Sequence, residues 1–188
     1  MQRLESERLI LREFTELDTD DLFLYATDPD VGPRAGWKPH ETRAESLAIV
    51  RMFKEEGNVF AIERKSDHRM IGSIGLHRDK CRNLPDVRAV GYVLAQDCWG
   101  NGYMSEAVKR MLQFGFEEMQ LRLMSVSHYT FNDRSRRVIE KCGFVYEGTL
   151  RQTFLRYDGA IFDEAMYSLT KEEWQKLQAE TPQASEAF

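Results

Sequence analysis

Apolar residues recur along this chain at two spacings, one typical of strands and one typical of helices. Runs of alternating or continuous apolar residues that are bounded by polar turns indicate strands. Such runs predict strands at residues 9–14, 59–64, 70–76, 90–94 and 121–128, and another that begins after residues 142–144. The polar turn between the second and third of these strands predicts a hairpin.

Helices are indicated by capping residues that precede apolar positions three or four residues apart. Thr42 and Glu45 are spaced as a capping box. The helix that follows places Leu47, Val50 and Phe53 on one face. Further helix starts are predicted at Asp18 or Thr19, after Gly102, near Asp133 and at Thr170.

Two segments carry strong turn signals. Residues 27–40 contain three prolines and two glycines, so we predict a loop there. Asp158-Gly159 lies between β-prone arms and predicts a hairpin with a two-residue turn. The order of the elements predicts the mixed α/β (α+β) class, as a single domain over residues 1–177 with helices on both faces of its sheet. The remainder, 178–188, is expected to be a flexible tail.

The composition excludes several classes of partner and location. The chain has 188 residues, 42% of them hydrophobic and 30% charged, as in soluble globular proteins. The formal net charge of −5 provides no basic field that recruits nucleic acid or anionic lipid, so we expect neither as a partner. No apolar stretch approaches the ~20 residues of a membrane span, and the charged N-terminus lacks the apolar core of a signal peptide.

The cysteines argue for a reducing compartment. Cys81, Cys98 and Cys142 are odd in number and form no C-x-x-C pair. This pattern argues against a disulfide framework and against a zinc site. We therefore expect no metal, and a cytoplasmic location.

The most informative stretch is 99–105, Trp-Gly-Asn-Gly-Tyr-Met-Ser, which follows the apolar run 90–94. A strand that feeds a helix through a glycine turn aims several backbone N–H groups, and the positive end of the helix dipole, at one point. Glycine at 100 and 102 lets the main chain approach an anion without a Cβ in the way. The stretch therefore predicts a phosphate site, with an ordinary strand-to-helix turn as the alternative.

Two later motifs follow the glycine turn, Asn-Asp-Arg-Ser at 132–135 and Glu-Lys-Cys-Gly-Phe at 140–144. Together the three motifs resemble the GNAT superfamily of acyl-CoA N-acetyltransferases. Within it they resemble the RimJ/RimL-type branch, which acetylates protein N-terminal amines. The resemblance covers nearly the whole chain and implies one GNAT-like domain with a mixed, mostly antiparallel central sheet. Two neighbouring parallel strands of that sheet are expected to splay apart, ending near Leu94 and His128.

The resemblance implies acetyl-CoA as co-substrate, bound in the gap between the splayed strands. It places the diphosphate on main-chain amides of the glycine turn, at Trp99, Gly100, Asn101, Gly102, Tyr103, Met104 and Ser105. It also implies that exposed main-chain groups of Leu94 and Ala95 pair with the pantetheine arm. Of the family's loop pattern, Gln/Arg-x-x-Gly-x-Gly/Ala, only Gly102 matches strictly, whereas Trp99 and Met104 depart from it.

Asn132 and Ser135 carry the chemistry that the resemblance implies. Asn132 would hydrogen-bond the pantetheine arm, and the Ser135 hydroxyl would stabilise the leaving CoA thiolate. From the residues alone, Asn132 or Asp133 caps the helix and Ser135 is a residue of the first turn. Arg134, Arg136 and Arg137 lie at the same helix start, where they either contact the CoA phosphates or form a solvated face.

Trp37, His40 and Tyr157 are the candidate acceptor-binding residues. By the family's geometry Trp37 and His40 lie at the acceptor entrance; alternatively, Trp37 fastens its loop to the core and His40 is a surface residue. Phe154 occupies the position of the glutamate found in RimL-type enzymes. The candidates for the general base are Glu147, Asp163, Glu164, Tyr129 and Tyr157, and nothing in the sequence selects among them.

The function implied by the resemblance is transfer of an acetyl group to a primary amine by direct attack in a ternary complex, without a covalent enzyme intermediate. The acceptor is a protein N-terminal α-amine or a small molecule such as a polyamine, an amino acid or an aminoglycoside. A CoA-binding module without turnover is the alternative, because the family's glutamate is missing at Phe154. We expect a monomer or a homodimer.

Overall fold

The computed structural model describes residues 2–180. In this part of the chain the strands and α-helices are β1 (Leu4–Glu5), β2 (Leu9–Arg12), α1 (Thr19–Ala26), α2 (Gly32–Ala35), α3 (Arg43–Glu56), β3 (Val59–Arg64), β4 (Met70–Arg78), β5 (Val87–Leu94), α4 (Tyr103–Gln113), β6 (Leu123–Tyr129), α5 (Asp133–Lys141), β7 (Val145–Leu155), β8 (Ile161–Thr170) and α6 (Lys171–Glu180). Short 3₁₀ turns lie at Glu16–Asp18 and Gln96–Cys98, and a π-helical turn continues α4 at Phe114–Glu118.

Within residues 2–180 the strands form one sheet, in the order β1-β2-β3-β4-β5-β6-β8-β7. Neighbouring strands are antiparallel except for β5 and β6, whose parallel ladder ends at Val90 and Val126. Beyond that point the two strands no longer pair with each other. β5 continues to Leu94 against β4, and β6 continues to Tyr129 against β8. The predicted mixed, mostly antiparallel sheet with a splayed parallel pair is therefore confirmed.

Helices cover both faces of the sheet. Phe60 of β3 packs edge-on against Phe114 at the end of α4, with ring centroids 5.9 Å apart. The next residue, Ala61, points to the opposite face and pairs with Ser73, whose hydroxyl bonds to Tyr25 of α1. The helices α1 and α4 thus lie on opposite faces, with α3 packed beside α1 and α5 beside α4. These two sides of the sheet are termed the α1 face and the α4 face.

Local capping chemistry sets the ends of α3 and α6, as predicted. The Thr42 hydroxyl accepts a hydrogen bond from the Glu45 amide at 3.3 Å, and Gly57 ends α3 with a φ of +64°. At α6 the Thr170 hydroxyl accepts from the Glu173 amide at 3.2 Å, while the Glu173 carboxylate accepts from the Thr170 amide at 2.9 Å. These bonds satisfy amides that the first turn of a helix leaves without partners.

Residues 27–40 are not entirely loop, which corrects the prediction. Gly32–Ala35 form the short helix α2, because Pro33 stands in its first turn, where no backbone N–H is required. Gly36, with a φ of +94°, ends it. The hairpin between β7 and β8 also differs from the prediction of a two-residue turn. Its loop holds the three residues 157–159, since the Arg156 amide bonds to the Ala160 carbonyl at 2.8 Å and Gly159 adopts a φ of +85°.

Strand and helix bounds shift by a few residues from those predicted. The strand predicted at 121–128 begins at 123, because Leu121, although buried, donates its amide to the Gly115 carbonyl at 2.9 Å in a turn. The last helix extends to Glu180, past the predicted start of the tail, and the rest of that tail lies outside the described residues. No helix between residues 2 and 180 combines the length and the apolar character that a membrane crossing requires.

Glu106 in the first turn of α4 ties the N-terminal strands to this helix. Its carboxylate accepts hydrogen bonds from the Ser6 hydroxyl, the Arg8 amide and the Arg8 guanidinium, each at 2.7 Å. Burial alone would raise the pKa of Glu106, but the bonds from Arg8 and Ser6 together lower it below its ordinary value. A carboxyl group whose pKa is lowered by folding stabilises the fold above its unfolded pKa, and that stabilisation is lost as the pH falls through its folded pKa.

Glu106→Gln is expected to lower the free energy of unfolding at pH 7 by about 1–2 kcal/mol, because neutral acceptors form weaker bonds than a carboxylate does. For a chain of this size that corresponds to a melting temperature roughly 2–8 °C lower. Thermal unfolding followed by circular dichroism at pH 7 and again below pH 4 measures both values. The difference between the two proteins should shrink at the acid pH; a variant that melts with the wild type at pH 7 contradicts the assignment.

Candidate functional site

The gap between β5 and β6 continues as a cavity of about 750 Å³. On the α4 face its lining includes Tyr92, and on the α1 face it includes Ser127 and Glu164. The registers give these faces: Tyr92 pairs with Ile74, which lies on the side of Phe60, whereas the pairing of β6 with β5 and β8 places Ser127 and Glu164 on the other side. The cavity therefore passes through the sheet.

The glycine turn lines the α4-face end of the cavity. Gly100 and Gly102 have φ angles of +78° and +80°, a left-handed conformation that favours glycine. Gly102 is the N-cap of α4. The N–H groups of the first turn therefore point out of the N-terminal end of the helix and have no partner within it. Within residues 2–180, the amides from Gly100 to Ser105 donate no well-formed hydrogen bond to another part of the protein. These amides, together with the helix dipole, are termed the amide cradle, and they form an arrangement that suits a phosphate group.

Arg8 braces the glycine turn from the first hairpin. Its Nη1 atom donates to the Asn101 carbonyl at 3.0 Å, and its guanidinium lies 4.6 Å from the centroid of the Tyr103 ring. The same guanidinium pairs with Glu106 at 2.7 Å. The Asn101 side chain donates to the Trp99 carbonyl at 3.0 Å, which closes the turn on itself. Sequence reasoning missed Arg8 because it lies more than ninety positions from its partners and carries no local signal.

Main-chain groups of β5 face the gap at alternate residues. The Ala95 amide donates to β4 at 2.8 Å, so the groups of Tyr92 and Leu94 point the other way, into the gap. The prediction of free main-chain groups at Ala95 is wrong, because its carbonyl also accepts from the Cys98 amide at 3.0 Å. The Leu94 carbonyl accepts from the Trp99 indole at 2.9 Å. The N–H and C=O of Tyr92 and the N–H of Leu94 remain facing the gap.

A cationic stripe on α5 lies beside the amide cradle. Arg134, Arg137 and Lys141 recur on one side of the helix, and all three line the cavity. The guanidinium of Arg134 lies 4.6 Å from the centroid of the Trp99 ring. Arg136 instead forms ion pairs within α5, at 3.1 and 3.4 Å. The structure thus separates Arg134 and Arg137, which line the cavity, from Arg136, which lies on the solvated side.

Two hydroxyl groups meet on the α4 face of the cavity. The Tyr92 hydroxyl lies 2.8 Å from Oγ of Ser135, which is in the first turn of α5. Burial raises the pKa of Tyr92, so its hydroxyl keeps its proton at neutral pH. The sequence predicted Ser135 as a site residue but gave Tyr92 only as part of a strand. No local signal singles it out, because its place in the site depends on the contact with Ser135, 43 residues away.

Asn132 caps α5, as its sequence position predicts. Its Oδ1 atom accepts from the Ser135 amide at 3.3 Å. Its Nδ2 atom donates to the Arg34 carbonyl at 3.1 Å, which ties α2 to the start of α5. Asn132 also lines the cavity. Both ends of its amide therefore already have protein partners, and its contribution here is to hold the first turn of α5 in place.

The α1-face side of the cavity, termed the chamber, holds an imidazole and a buried carboxylate. A Cβ atom at Gly75 or Gly91 would lie 3.0 or 3.1 Å from His77, so the imidazole lies directly against these two glycines. Burial lowers the pKa of His77, which keeps the ring neutral at neutral pH. Glu164 is 7% exposed and accepts from the Ser127 hydroxyl at 2.5 Å. His77 and Ser127 were not predicted, and Glu164 was only one of five candidate bases.

Asp79 also lines the chamber, but its carboxylate is fully engaged by the protein. It accepts from the Ser125 hydroxyl at 2.5 Å and from the amides of Cys81 and Arg82 at 2.7 and 2.6 Å. These bonds fix the loop that joins β4 to β5. Among the residues that the structure describes, no three His, Cys, Asp or Glu side chains are grouped so as to hold a metal ion.

Of the three predicted acceptor-binding residues, Trp37 lines the cavity. The lining found within residues 2–180 does not include His40 or Tyr157. His40 packs on Trp37, with ring centroids 5.3 Å apart, and bonds to the Ser46 hydroxyl of α3 at 2.8 Å. It therefore links the segment that carries Trp37 to α3. Tyr157 lies in the turn between β7 and β8 and is 49% exposed.

Phe154, at the position where the resemblance implied a glutamate, packs into an aromatic cluster beside the chamber. Its ring stacks on Tyr129 with centroids 4.4 Å apart, and Phe131 and Phe162 extend the cluster at 4.6 Å from each other. A Cβ atom at Gly36 would lie 2.6 Å from the Tyr129 hydroxyl, so the end of α2 sits directly on this cluster. The ring of Phe154 thus packs behind Tyr129, which lines the chamber.

Comparison with known proteins assigns this chain to a family. A family model described as "Acetyltransferase (GNAT) domain" matches residues 8–145. The "Uncharacterized N-acetyltransferase YoaA" of Bacillus subtilis is 30% identical over 175 residues, which cover 89% of this chain and 96% of YoaA. The "Putative ribosomal N-acetyltransferase YdaF" of the same species is 33% identical over 112 residues, which cover 58% of each chain.

Solved structures share the fold. A GNAT-family acetyltransferase from Bacillus anthracis superposes with a TM-score of 0.82 at 24% identity, covering 91% of this chain and 99% of that one. The ribosomal-protein-S5-alanine acetyltransferase of Vibrio fischeri superposes with a TM-score of 0.72 at 22% identity, covering 93% and 99%. The matched family model spans the strands and helices that build the gap and the amide cradle. The chain therefore belongs to the GNAT family of acetyltransferases.

Proposed function

We propose that this enzyme transfers the acetyl group of acetyl-CoA to an α-amine, with the N-terminus of a protein as the first choice of acceptor. The supporting observation is the cavity that crosses the sheet. It joins the amide cradle on the α4 face to the chamber on the α1 face. Two reactants that enter from opposite faces meet in the gap, and holding them together supplies much of the rate of a direct transfer.

The residues on the α4 face fit the parts of acetyl-CoA. The amide cradle suits its diphosphate, and the side chains of Arg134 and Arg137 add positive charge beside it. The main-chain groups of Tyr92 and Leu94 face the gap, where they can pair with the pantetheine amides as a neighbouring strand would. When bound, acetyl-CoA supplies an acyl group that is activated as a thioester.

Hydrogen-bond donors near the gap are placed to stabilise the negative charges that develop during acetyl transfer. The Leu94 N–H faces the gap and is placed to donate to a carbonyl oxygen as negative charge develops there. The paired hydroxyls of Tyr92 and Ser135 are placed to stabilise a leaving thiolate by a hydrogen bond or a proton. Asn132 acts on this pair indirectly, by fixing the Ser135 amide.

The charges in the cavity favour an acceptor with a single amine over a polyamine. Among residues 2–180, Asp79 and Glu164 are the carboxylates in its lining, and Asp79 is already bonded to the protein. Arg34, Arg78 and Lys80 also line the cavity and repel a second positive charge. An α-amine, with a pKa of ~7.7–8.0, is also easier to deprotonate than a lysine at ~10.4, by roughly 3.5 kcal/mol.

Two relatives carry names that agree with an N-terminal acceptor. YdaF carries the name of a ribosomal N-acetyltransferase, and the Vibrio fischeri protein is named a ribosomal-protein-S5-alanine acetyltransferase. These names describe those proteins, and they support a protein N-terminus as the first acceptor class to test here.

A panel of amines tests the proposal. Purified enzyme and acetyl-CoA are mixed with short peptides that begin with Ala, Ser or Met, with free amino acids, and with spermidine and an aminoglycoside. Release of CoA thiol and the mass of the product are followed for each. We expect kcat/KM for the best α-amine peptide to exceed that for spermidine at least tenfold. Preference for spermidine overturns the acceptor assignment, and tight acetyl-CoA binding without acceptor-dependent CoA release overturns the enzymatic function.

A further inference from the structure

We infer that Glu164 takes up the proton that the acceptor amine must lose before it attacks, and that the Ser127 hydroxyl positions this carboxylate. The inference rests on the proposed amine acetylation and identifies the group that completes it. The resemblance to RimL-type enzymes implied a glutamate at the position that Phe154 occupies, and a phenylalanine side chain cannot accept a proton, so another group of this chain has to take it. The structure provides one carboxylate that lines the chamber and is not already occupied by several donors.

Glu164 has the surroundings of a reactive carboxylate. It is 7% exposed, and its Oε1 atom accepts from the Ser127 hydroxyl at 2.5 Å. Among residues 2–180, no donor bonds to its Oε2 atom. One oxygen is thus fixed by the protein, and the other remains able to accept a proton from a molecule in the chamber.

Glu164 also lies where the gap opens. Ser127 is the first residue of β6 beyond the last ladder pair, Val90 with Val126. Two positions further on, Tyr129 pairs directly with Glu164 of β8. The carboxylate therefore lies beside the widened end of the gap, on the face opposite to the amide cradle. Other titratable side chains in the cavity lining include Tyr129, His77, Asp79, Arg34, Arg78 and Lys80. His128 also lines the cavity, but it lies on the α4 face of β6, where its ring nitrogens bond to the Tyr129 carbonyl and the Tyr167 hydroxyl.

The other carboxylate candidates are placed elsewhere. Glu147 pairs with Arg82 and accepts from the Ser168 hydroxyl at 2.8 Å, outside the cavity lining. Asp163 precedes Glu164 in β8, so its side chain points to the opposite face, and it accepts from the Gln152 amide at 2.8 Å. Neither carboxylate reaches the chamber.

Tyrosine and histidine are weaker candidates than Glu164. Burial, together with the charge of Glu164, raises the pKa of Tyr129 to about 12, so this hydroxyl keeps its proton at neutral pH. Tyr157 lies in an exposed turn outside the cavity lining. His77 is neutral and lines the chamber, but it pairs with Ala89, beside the closed part of the ladder. His77 is therefore the alternative that the experiment must separate from Glu164.

The protons balance over the whole reaction. One ammonium proton moves to the Glu164 carboxylate and then to solvent, leaving a neutral amine with a free electron pair. That pair forms the new C–N bond to the acetyl carbon, and the C–S bond breaks with its electrons going to sulfur. The second proton lost from nitrogen ends on the sulfur by way of the Ser135 and Tyr92 hydroxyls. The products are the N-acetylated amine, free CoA thiol and one proton in solvent.

Glu164→Gln tests the assignment, because glutamine keeps the size of the side chain and an oxygen for the Ser127 hydroxyl. With the best α-amine peptide at pH 7, we expect kcat to fall by about 100-fold or more, the usual range for a lost general base. The Kd of acetyl-CoA should stay within about twofold of the wild-type value. The deficit in kcat should shrink as the pH rises above ~8, because the acceptor α-amine then arrives already neutral.

Asp163→Asn, on the neighbouring residue of the same strand, is the matched control and should leave the pH profile unchanged. A deficit in Glu164→Gln that stays constant from pH 6 to 9 shows a structural role and overturns the inference. The same holds if His77→Gln, and not Glu164→Gln, gives the pH-dependent deficit. If the wild type acetylates no amine, the proposed function itself fails, and that outcome is distinct from an active wild type with an equally active Gln variant.

Ser127 is assigned as a positioning residue and has its own readout. Ser127→Ala should shift the acidic limb of the kcat profile, because the carboxylate loses its hydrogen bond, and Ser127→Thr should restore that limb. An unshifted limb in Ser127→Ala removes Ser127 from the assignment. Thermal unfolding of each variant, with and without acetyl-CoA, verifies that the fold and the cradle are intact.

Discussion

Gly100→Asp is expected to weaken acetyl-CoA binding by at least about 100-fold, which is close to 2.7 kcal/mol. Gly100 lines the cavity in the turn that carries the amide cradle, and an added Cβ there meets no atom within 4 Å. The fold therefore has room for the new side chain, whose charge opposes the diphosphate. A unit charge about 4–6 Å from another costs roughly 3–4 kcal/mol at the dielectric of a protein surface. Isothermal titration calorimetry measures the change.

Two controls separate charge from backbone strain. Gly100→Asn places a neutral side chain of the same shape at the same φ of +78°, and asparagine tolerates this region about as well as aspartate does. We expect it to weaken binding less than about tenfold, since it adds no charge. Gly159→Asp imposes a similar strain at a φ of +85° in the turn between β7 and β8, outside the cavity lining, and should leave the Kd unchanged. Equal losses in the Asp and Asn variants at position 100 would falsify the charge argument.

Ser135→Ala is expected to lower kcat by roughly tenfold or more, with little change in the Kd of acetyl-CoA. A group that acts on the leaving thiolate contributes in the transition state and not in ground-state binding, so its loss lowers kcat and kcat/KM together. Tyr92→Phe removes the other hydroxyl of the pair, 2.8 Å away. If the two hydroxyls act as one unit, the double variant should lose little more than Ser135→Ala alone.

Stopped-flow and steady-state release of CoA thiol, with the best acceptor saturating, give the required constants. Ser168→Ala is the matched control, because it removes a hydroxyl that bonds to Glu147 outside the cavity lining. Unchanged kcat in Ser135→Ala rules out a role for this hydroxyl in the transfer step. A loss confined to the Kd of acetyl-CoA assigns it to binding instead.

Features that depend on near neighbours in sequence were predictable. The capping residues Thr42 and Thr170 predict the starts of their helices, and the glycines at 100 and 102 predict a turn with residues in the left-handed conformation. The three motifs, taken together, carried the resemblance to the GNAT family, and with it the splayed strands. The resemblance was wrong at Ala95, because the main-chain groups that it implied to be free bond to β4 and to the Cys98 amide of a 3₁₀ turn.

The placement of the remaining site residues depends on the register of strand pairing, which could not be predicted from the sequence. Glu164 and Asp163 are adjacent carboxylates in one strand, and only the pairing of Tyr129 with Glu164 decides which of them faces the cavity. His77 becomes part of the site because two glycines on β4 and β5 leave room for its ring. The resemblance placed His40 at the acceptor entrance, but in the structure its ring bonds to Ser46.

The parallel ladder between β5 and β6 stops at Val90, and this interruption has a thermodynamic consequence. Four residue pairs join β5 to β6, the last of them Val90 with Val126. In the proposed function, acetyl-CoA bound in the opening adds hydrogen bonds to the part of β5 that has no partner in β6. A ligand at 100 times its dissociation constant raises the free energy of unfolding by about 2.7 kcal/mol. The robustness of this enzyme inside a cell should therefore track the supply of acetyl-CoA, so that starvation for activated acetate leaves the protein easier to degrade.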